Sequence, residues 1–138
     1  HTAIREGEVA INHIVGGSDD RMRYDSVPAV VYMHPEIAGV GATEEKLRAE
    51  GRYYRVLKLP MAYAGRYVVE NEQASGLCKV LVDENDTILG CHILGNPASE
   101  LILLAGIAVT DRSSIEDFRR HIFPHPTAGE ILHEVLFS

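Results

Sequence analysis

One histidine held between two prolines is the strongest candidate for chemistry in this sequence. The segment 123–130 reads FPHPTAGE, and Pro124 and Pro126 restrict the backbone on both sides of His125. Thr127 is a typical N-cap, so Glu130 falls on the third helical position, where its carboxylate can point back toward His125. The spacing predicts a His–Glu pair in which the carboxylate fixes the ring tautomer and stabilises the imidazolium, as a general base requires.

The same spacing also has a purely structural explanation. Thr-x-x-Glu is a capping box, in which Glu130 accepts a hydrogen bond from the backbone N–H of Thr127. Helix caps greatly outnumber catalytic pairs, so the residues alone favour the cap. His121 lies four positions before His125, but Pro124 prevents one helix from carrying both, so we predict no metal ligands. Three other histidines are predicted to be ordinary surface or core side chains: His13, His92 and His133.

The residues show no cofactor site of their own. Gly16-Gly17 and the Gly39/Gly41 pair do not match the G-x-G-x-x-G dinucleotide fingerprint. Cys78 and Cys91 are thirteen positions apart without a CxxC pair, which is too sparse for a disulfide scaffold or a zinc cluster. This cysteine usage favours a reducing compartment, and we predict a cytoplasmic location.

Composition excludes several classes of protein. Of 138 residues, 46% are apolar and 24% charged, which is typical of one globular domain and not of a disordered chain. A net charge of −7 has the wrong sign for binding nucleic acid. The longest apolar run, residues 101–109, is too short to cross a membrane. The chain begins with His1 and shows no export signal, so we expect a piece of a longer protein.

The elements that must position His125 alternate between helix and strand. Helical spacing of apolar residues predicts an amphipathic helix over 1–15 that stops at Gly16-Gly17, and a polar stretch follows. A turn is predicted at Gly39/Gly41, and the segment from Met61 to Gln73 is predicted to be irregular. The predicted strands are Pro28 to Met33, Tyr53 to Pro60, Gly76 to Val82 and Ile88 to Leu94. The further predicted helices are Thr43 to Gly51, Ala98 to Val109, Ile115 to Arg120 after a Ser113 or Ser114 cap, and one from Thr127 with an apolar stripe of Ile131, Leu132, Val135 and Leu136.

Two of these elements make predictions about neighbours in space. A hairpin at 83–87 would place Cys78 and Cys91 diagonally, roughly 7–8 Å apart, which favours free buried thiols, although a register shift would allow a bond. Asn96 and Pro97 are predicted to be the N-cap and first turn of the following helix. That helix is apolar on nearly every side, so either a partner subunit or the chain's own loops must cover its outer face.

These elements predict an α+β fold, a mostly antiparallel sheet with helices packed on it as a two-layer sandwich. The whole chain resembles the C-terminal interface, or dimerisation, domain of the flavin-dependent pyridine-nucleotide disulfide oxidoreductases, and most closely their dihydrolipoyl dehydrogenase members. The most specific element is His125-Pro126-Thr127-x-x-Glu130. The other resembling stretches are HTAIREGEVAINHI, VPAVVYMHPEIAGVGATEEKLRAEG, GRYVVENEQASGLCKVLVD, ILGCHILG and ASELI.

The resemblance implies a role for each part of the chain. Residues 1–17 would be the last helix of an upstream flavin domain, 18–27 a linker and 28–138 the dimerisation domain. In a homodimer, His125 with Glu130 would act as the catalytic base toward the FAD and redox disulfide of the partner subunit. His125 and Pro126 would lie near that flavin, and their peptide bond would be cis.

The resemblance also implies the reaction of the longer enzyme, which is the NAD-dependent oxidation of dihydrolipoamide or of a lipoyl-bearing protein. FAD and NAD would belong to the full-length enzyme, and none is expected on this fragment, because the nucleotide fingerprints and the redox CxxxxC pattern are absent from it. The fragment alone would be inactive. Two alternatives remain, a glutathione-reductase-like enzyme and a purely structural dimerisation module.

Overall fold

The structure is a computed structural model and describes residues 1–16, 19–72 and 75–138. Its strands are β1 (Ala29–Val31), β2 (Ile37–Gly41), β3 (Arg55–Pro60), β4 (Leu77–Val82) and β5 (Ile88–Leu94). Its helices are α1 (Thr2–Ile14), α2 (Glu44–Ala49), α3 (Gly65–Glu70), α4 (Ala98–Thr110), α5 (Ile115–Arg119) and α6 (Ile131–Glu134). Short 3₁₀ helices cover Tyr24–Ser26, Met61–Tyr63, Ala128–Glu130 and Val135–Phe137.

The five strands form one antiparallel sheet in the order β1-β2-β5-β4-β3. The long helix α4 and the C-terminal helical segment pack with one face of this sheet in a single apolar core. The short helix α2 lies over the opposite face, where Glu44 pairs with Lys79 of β4. The predicted α+β fold, an antiparallel sheet with helices packed on it, is confirmed.

The predicted turn at Gly39 and Gly41 is wrong, because both glycines belong to β2. Gly39 pairs with His92, and Gly41 pairs with Gly90. A Cβ on Gly41 would lie 2.3 Å from the carbonyl oxygen of Leu89, and a Cβ on Gly39 would lie 2.9 Å from the His92 ring. These glycines therefore allow β2 and β5 to approach closely, and they do not reverse the chain.

The segment predicted to be irregular contains a 3₁₀ helix and α3. Met61, Ala64 and Tyr67 recur at intervals of three residues and are all buried. This periodicity is the signal that the prediction overlooked. Gln73, where the predicted segment ends, lies outside the described residues, as do Gly17 and Ser18 at the predicted junction of the first helix and the linker.

The β4–β5 hairpin has the predicted diagonal arrangement of its cysteines. Cys78 pairs with Ile93, and Val80 pairs with Cys91. Both thiols are free and buried, and a hydrogen bond that the Cys78 thiol donates to Cys91, together with burial, raises the pKa of Cys78. A bulge after Leu81 shifts the register by one residue at the end of the hairpin.

The start of α4 differs from the prediction. The N-cap position belongs to Pro97, and Asn96 does not cap the helix with its side chain. Instead, Asn96 Oδ1 accepts a hydrogen bond from the backbone N–H of Glu36 at 3.2 Å, and Glu36 Oε2 accepts one from the N–H of Ser99 at 2.8 Å. A carboxylate from a neighbouring loop therefore serves the helix start, which local spacing cannot reveal.

Helix α1 stands apart from the core. None of its residues is buried, and its large apolar side chains Ile4, Ile11 and Ile14 are between 57% and 76% exposed. Its hydrogen bonds run to the segment that follows, for example from the Tyr24 hydroxyl to Glu6 and between the His1 ring and the carbonyl of Pro28. Over the residues that the structure describes, no helix is both long and apolar enough to span a bilayer.

Candidate active site

The C-terminal helical segment positions the candidate pair by packing onto α4 and the sheet. Its predicted stripe is confirmed, since Ile131, Leu132, Val135 and Leu136 are all buried. The segment begins at Thr127 as predicted, although its first turn is 3₁₀ and not α. A Cβ on Gly129 would lie 3.7 Å from Leu101 Cδ2, so this first turn lies directly against α4.

His125 and Glu130 are in contact. The Nδ1 atom of His125 lies 2.8 Å from Glu130 Oε1, and the backbone N–H of Thr127 donates to Glu130 Oε2 at 2.9 Å. The Thr127 hydroxyl donates to the carbonyl of Pro124 at 2.8 Å and ties the helix start to the loop before it. The two explanations of the Thr-x-x-Glu spacing therefore coexist, because each carboxylate oxygen has its own partner.

The negative charge of Glu130 is stabilised by its two hydrogen-bond partners. The hydrogen bond from the Thr127 backbone, and then the one from His125, lower the pKa of this carboxyl group. A carboxylate that is ionised near neutral pH can only accept, so a neutral His125 must donate from Nδ1. The other ring nitrogen, Nε2, then carries the lone pair that can take up a proton.

The ring of His125 projects away from its own chain. Its side chain is 81% exposed, whereas that of Glu130 is only 21% exposed. Within the described ranges, no residue forms a hydrogen bond with Nε2 of His125. The pair thus consists of a sheltered carboxylate and an outward-facing imidazole, and the peptide bond between His125 and Pro126 is cis, as the resemblance implies.

An aromatic cluster that sequence reasoning missed supports the loop before His125. Phe123 packs edge-on against Phe118 at 5.7 Å between ring centroids, and the His133 ring contacts Phe123 in a tilted arrangement at 5.3 Å. His133 also contacts Phe137 at 5.1 Å, and the Arg119 guanidinium lies 3.9 Å above the Phe137 ring. The spacing of four between His133 and Phe137 was the available signal, because it places both on one side of a helix.

His121, the histidine nearest to His125 in the sequence, has a partner of its own. Nδ1 of His121 lies 3.2 Å from the carbonyl of Phe118, at the end of α5. In the described part of the chain, no group of three or more His, Cys, Asp or Glu side chains is placed to hold a metal ion. His121 instead lines an apolar cleft of about 370 Å³ between α4 and the loop 121–124.

This cleft joins the candidate base to an exposed apolar surface on α4. Leu103, Leu104 and Ile107 are 63%, 38% and 50% exposed, so the described loops of the same chain do not cover the outer face of the helix. Leu104 and Ile107 line the cleft together with Pro124, the residue before His125. The outer face of α4 and the outward imidazole therefore belong to one continuous region of the surface.

An antiparallel sheet backed by helices, with an apolar helix face that the described residues leave uncovered, is the arrangement of a domain that associates with another polypeptide. Comparison with protein families agrees, since residues 27–136 match the pyridine nucleotide-disulphide oxidoreductase dimerisation domain. The chain belongs to this family.

The relatives of this chain include named enzymes. It is 46% identical to dihydrolipoyl dehydrogenase 1, mitochondrial, of Arabidopsis thaliana, over all of this chain and 27% of the relative. It is 42% identical to the mitochondrial dihydrolipoyl dehydrogenase of Caenorhabditis elegans, over 97% of this chain and 27% of the relative. Because these relatives are named as mitochondrial, the predicted cytoplasmic location stays a prediction.

The fold also matches a solved structure, that of LpdA from Mycobacterium tuberculosis. The TM-score is 0.88 at 26% identity, and the match covers 96% of this chain and 29% of LpdA. The chain thus spans little more than a quarter of the length of the proteins that it resembles.

Proposed function

We propose that this chain is the dimerisation domain of a dihydrolipoyl dehydrogenase and that His125, oriented by Glu130, is the general base of the reaction. The observation that carries the proposal is the 2.8 Å contact between Nδ1 of His125 and Glu130, combined with the 81% exposure of the histidine side chain. A base that serves its own chain would lie in a cavity of that chain. This one faces outward, as a base must if it acts in the active site of a neighbouring subunit.

The chemistry follows from the free lone pair on Nε2. A thiol of dihydrolipoamide, or of a lipoyl-bearing protein, would give its proton to Nε2 as its S–H bond breaks. The thiolate formed is the nucleophile that can attack a disulfide sulfur. Glu130 would stabilise the imidazolium through Nδ1 during this transfer, and it would return the ring to the same tautomer afterwards.

The residues fit contact with a flavin from outside and do not fit a binding site for it within this chain. His125 and Pro126 are both exposed, and neither lines the apolar cleft beside α4. These two residues would therefore lie against the FAD of the partner subunit. FAD and NAD, when bound by the longer enzyme, would accept the two electrons of the dithiol.

We further propose a homodimer and the division of the chain given above. The exposed face of α4 would pack against its copy, which would bring His125 to the other subunit. Residues 28–138 would form the dimerisation domain, 18–27 a linker and 1–17 the last helix of an upstream domain. The absence of buried residues in α1 supports this last assignment, because its apolar side chains find no cover within the described chain.

The role of His125 can be tested in the full-length enzyme with His125→Gln. Loss of a positioned general base is expected to reduce kcat by about 10²–10⁴-fold while the dimer persists. His13→Gln is a matched control, because this exposed histidine lies on α1, where its Nε2 donates a hydrogen bond to the carbonyl of Asp20. Steady-state kinetics and sedimentation would be measured together. Unchanged turnover in His125→Gln would refute the catalytic role.

A second candidate function, a purely structural module, is favoured by one observation. Glu130 Oε2 accepts the backbone N–H of Thr127 and would do so in any helix cap. If the module were only structural, His125→Gln would leave both turnover and dimer intact. The same experiment therefore distinguishes the two functions.

A further inference from the structure

A second cleft, which differs from the candidate active site in its residues, is lined by cationic side chains. Its volume is about 400 Å³. Arg23, Lys46, Arg52 and Arg112 line it, and Ile88 and Val109 contribute buried apolar side chains. We call it the basic cleft. It shares no residue with the His125–Glu130 pair or with the apolar cleft beside α4.

The two acidic residues that line the basic cleft are already engaged. Asp25 pairs with the Arg23 guanidinium at 3.3 Å. Asp83 Oδ1 accepts the backbone N–H groups of Asn85 and Thr87 at 2.9 and 2.8 Å, within the turn of the β4–β5 hairpin. The four cations of the lining still outnumber these two carboxylates, and in the described structure neither carboxylate forms an ion pair with Lys46, Arg52 or Arg112.

Three cationic side chains of the cleft lack a close ion-pair partner among the described residues. The side chains of Lys46 and Arg112 form no hydrogen bond or ion pair with another described residue, and Arg52 reaches Glu50 only at 3.8 Å. The protein as a whole carries a net charge of −7. A group of unpaired cations in a concave site of such a protein is a local reversal of charge, which concentrates the field at that site.

The backbone of Arg112 supplies an independent observation. Its φ is +51°, in the left-handed region that favours glycine. Its N–H donates to the carbonyl of Val109 at 3.2 Å, so the residue belongs to the turn that ends α4. An arginine at a position where glycine would be unstrained places a charge in the lining of the cleft at a conformational cost, and such outliers concentrate at functional sites.

From these observations we propose that the basic cleft binds a small polyanion, a molecule with two or more phosphate or carboxylate groups. The volume fits a compact ligand and is too small for a folded domain. Guanidinium and ammonium groups are the donors that proteins use for such anions. This proposal does not depend on the catalytic role of His125, because the two sites share no side chain.

Isothermal titration calorimetry of the protein with tripolyphosphate, and separately with citrate, at low ionic strength tests the proposal. The test variants are Lys46→Gln, Arg112→Gly and the double variant. Arg112→Gly removes the charge and suits the positive φ, so the fold is expected to persist, which circular dichroism would verify. Lys58→Gln is the matched control, because Lys58 is an exposed cation of β3 outside the cleft.

We expect the double variant to weaken binding by about tenfold or more and Lys58→Gln to change it less than twofold. Tighter binding of tripolyphosphate would identify a phosphate ligand, and tighter binding of citrate a carboxylate ligand; both support the site. Absence of binding by either anion would overturn the proposal. Equal weakening by Lys58→Gln and Lys46→Gln would also overturn it, since that result indicates unspecific attraction.

Discussion

Glu130 uses its two oxygens for different purposes. One accepts the backbone N–H of Thr127 and completes the helix start, and the other orients the ring of His125. Removing the whole side chain would damage both functions at once. A substitution that keeps an acceptor but removes the charge separates them, because the cap needs only one oxygen.

Glu130→Gln is therefore expected to keep the helix cap and change the tautomer of His125. If the amide oxygen accepts from Thr127, the amide NH₂ faces Nδ1, which must then act as the acceptor. The ring proton would move to Nε2, where it blocks proton uptake. Long-range ¹H–¹⁵N spectra of the histidine rings would show this change.

The control for this experiment is Glu134→Gln. Glu134 lies one turn further along and approaches His133 at 3.6 Å, so its loss should leave His125 unchanged. Urea unfolding should show a larger loss of stability for Glu130→Ala than for Glu130→Gln. An unchanged His125 tautomer in Glu130→Gln would contradict the proposed pairing.

At the scale of elements, the centre of the sheet depends on glycines that permit close backbone approach. An added Cβ at Gly90 of β5 would lie 2.3 Å from the carbonyl oxygen of Ala42, just after β2. No real Cβ tolerates that distance, so the two strands would have to separate. The same strands carry α4, which packs against β2 and β5.

Gly90→Ala is expected to lower the free energy of unfolding by about 1–3 kcal/mol, the usual cost of overpacking a tight contact. Gly65→Ala is the matched control, because a Cβ there meets no atom within 4 Å. Chemical denaturation of both variants would measure the difference. Equal stability of the two variants would show that β2 and β5 are not held this closely.

Strand β5 also carries a histidine, His92, whose pKa is lowered in the folded protein. Burial, and then the positive charge of Lys79, lower the pKa of His92, and the carboxylates of Glu45 and Glu44 oppose this shift. Its Nδ1 atom is buried without a partner in the described structure. The unfolded chain therefore binds a proton at this residue more readily than the folded chain does.

The consequence is a loss of stability as the pH falls. An unfolded histidine has a pKa of about 6.5, so below this pH the unfolded state binds the proton before the folded state does. The free energy of unfolding therefore falls as the pH drops from that value toward the lower pKa of His92 in the folded state. His92→Gln is expected to reduce the fall in unfolding free energy between about pH 7 and pH 5. Urea unfolding across this range would measure it, and an equally steep fall in the variant would contradict the assignment.

At the scale of the whole molecule, the uncovered face of α4 decides how the chain associates. Leu103, Leu104 and Ile107 form an apolar surface on a helix whose other side lies in the core. Apolar surface of this kind gains free energy when a partner removes it from water. Because the chain belongs to a family of dimerisation domains, a second copy is the expected partner.

Ile107→Glu is expected to convert a dimer into a monomer, because a carboxylate buried in an apolar interface without a partner is strongly unfavourable. Val69→Glu is the control, since Val69 is 81% exposed on α3 and lies outside this surface. Sedimentation velocity would report the state of association. A wild-type chain that stays monomeric at high micromolar concentration would contradict the homodimer.

Local signals in the sequence explain why most elements could be predicted. Thr43 and Ser114 occupy the predicted N-caps, and the β4–β5 hairpin has the predicted diagonal cysteines. β2 was missed because its glycines resemble a turn when only the chain neighbours are considered. The cap of α4 was misassigned because Glu36, far away in sequence, serves the helix start.

The sequence by itself placed His125 and Glu130 within reach of each other, because a proline-restricted loop and a helix cap are local features that need no distant residue. It left open whether Glu130 only caps the helix or also contacts the ring, and the structure shows both contacts. Only the tertiary structure decided that Glu130 is sheltered while His125 faces outward, since exposure depends on how the helix packs against α4. It also decided that the cations of the basic cleft meet, because they come from three separate segments of the chain. Contacts between distant segments arise from packing, and no local pattern of residue types encodes them.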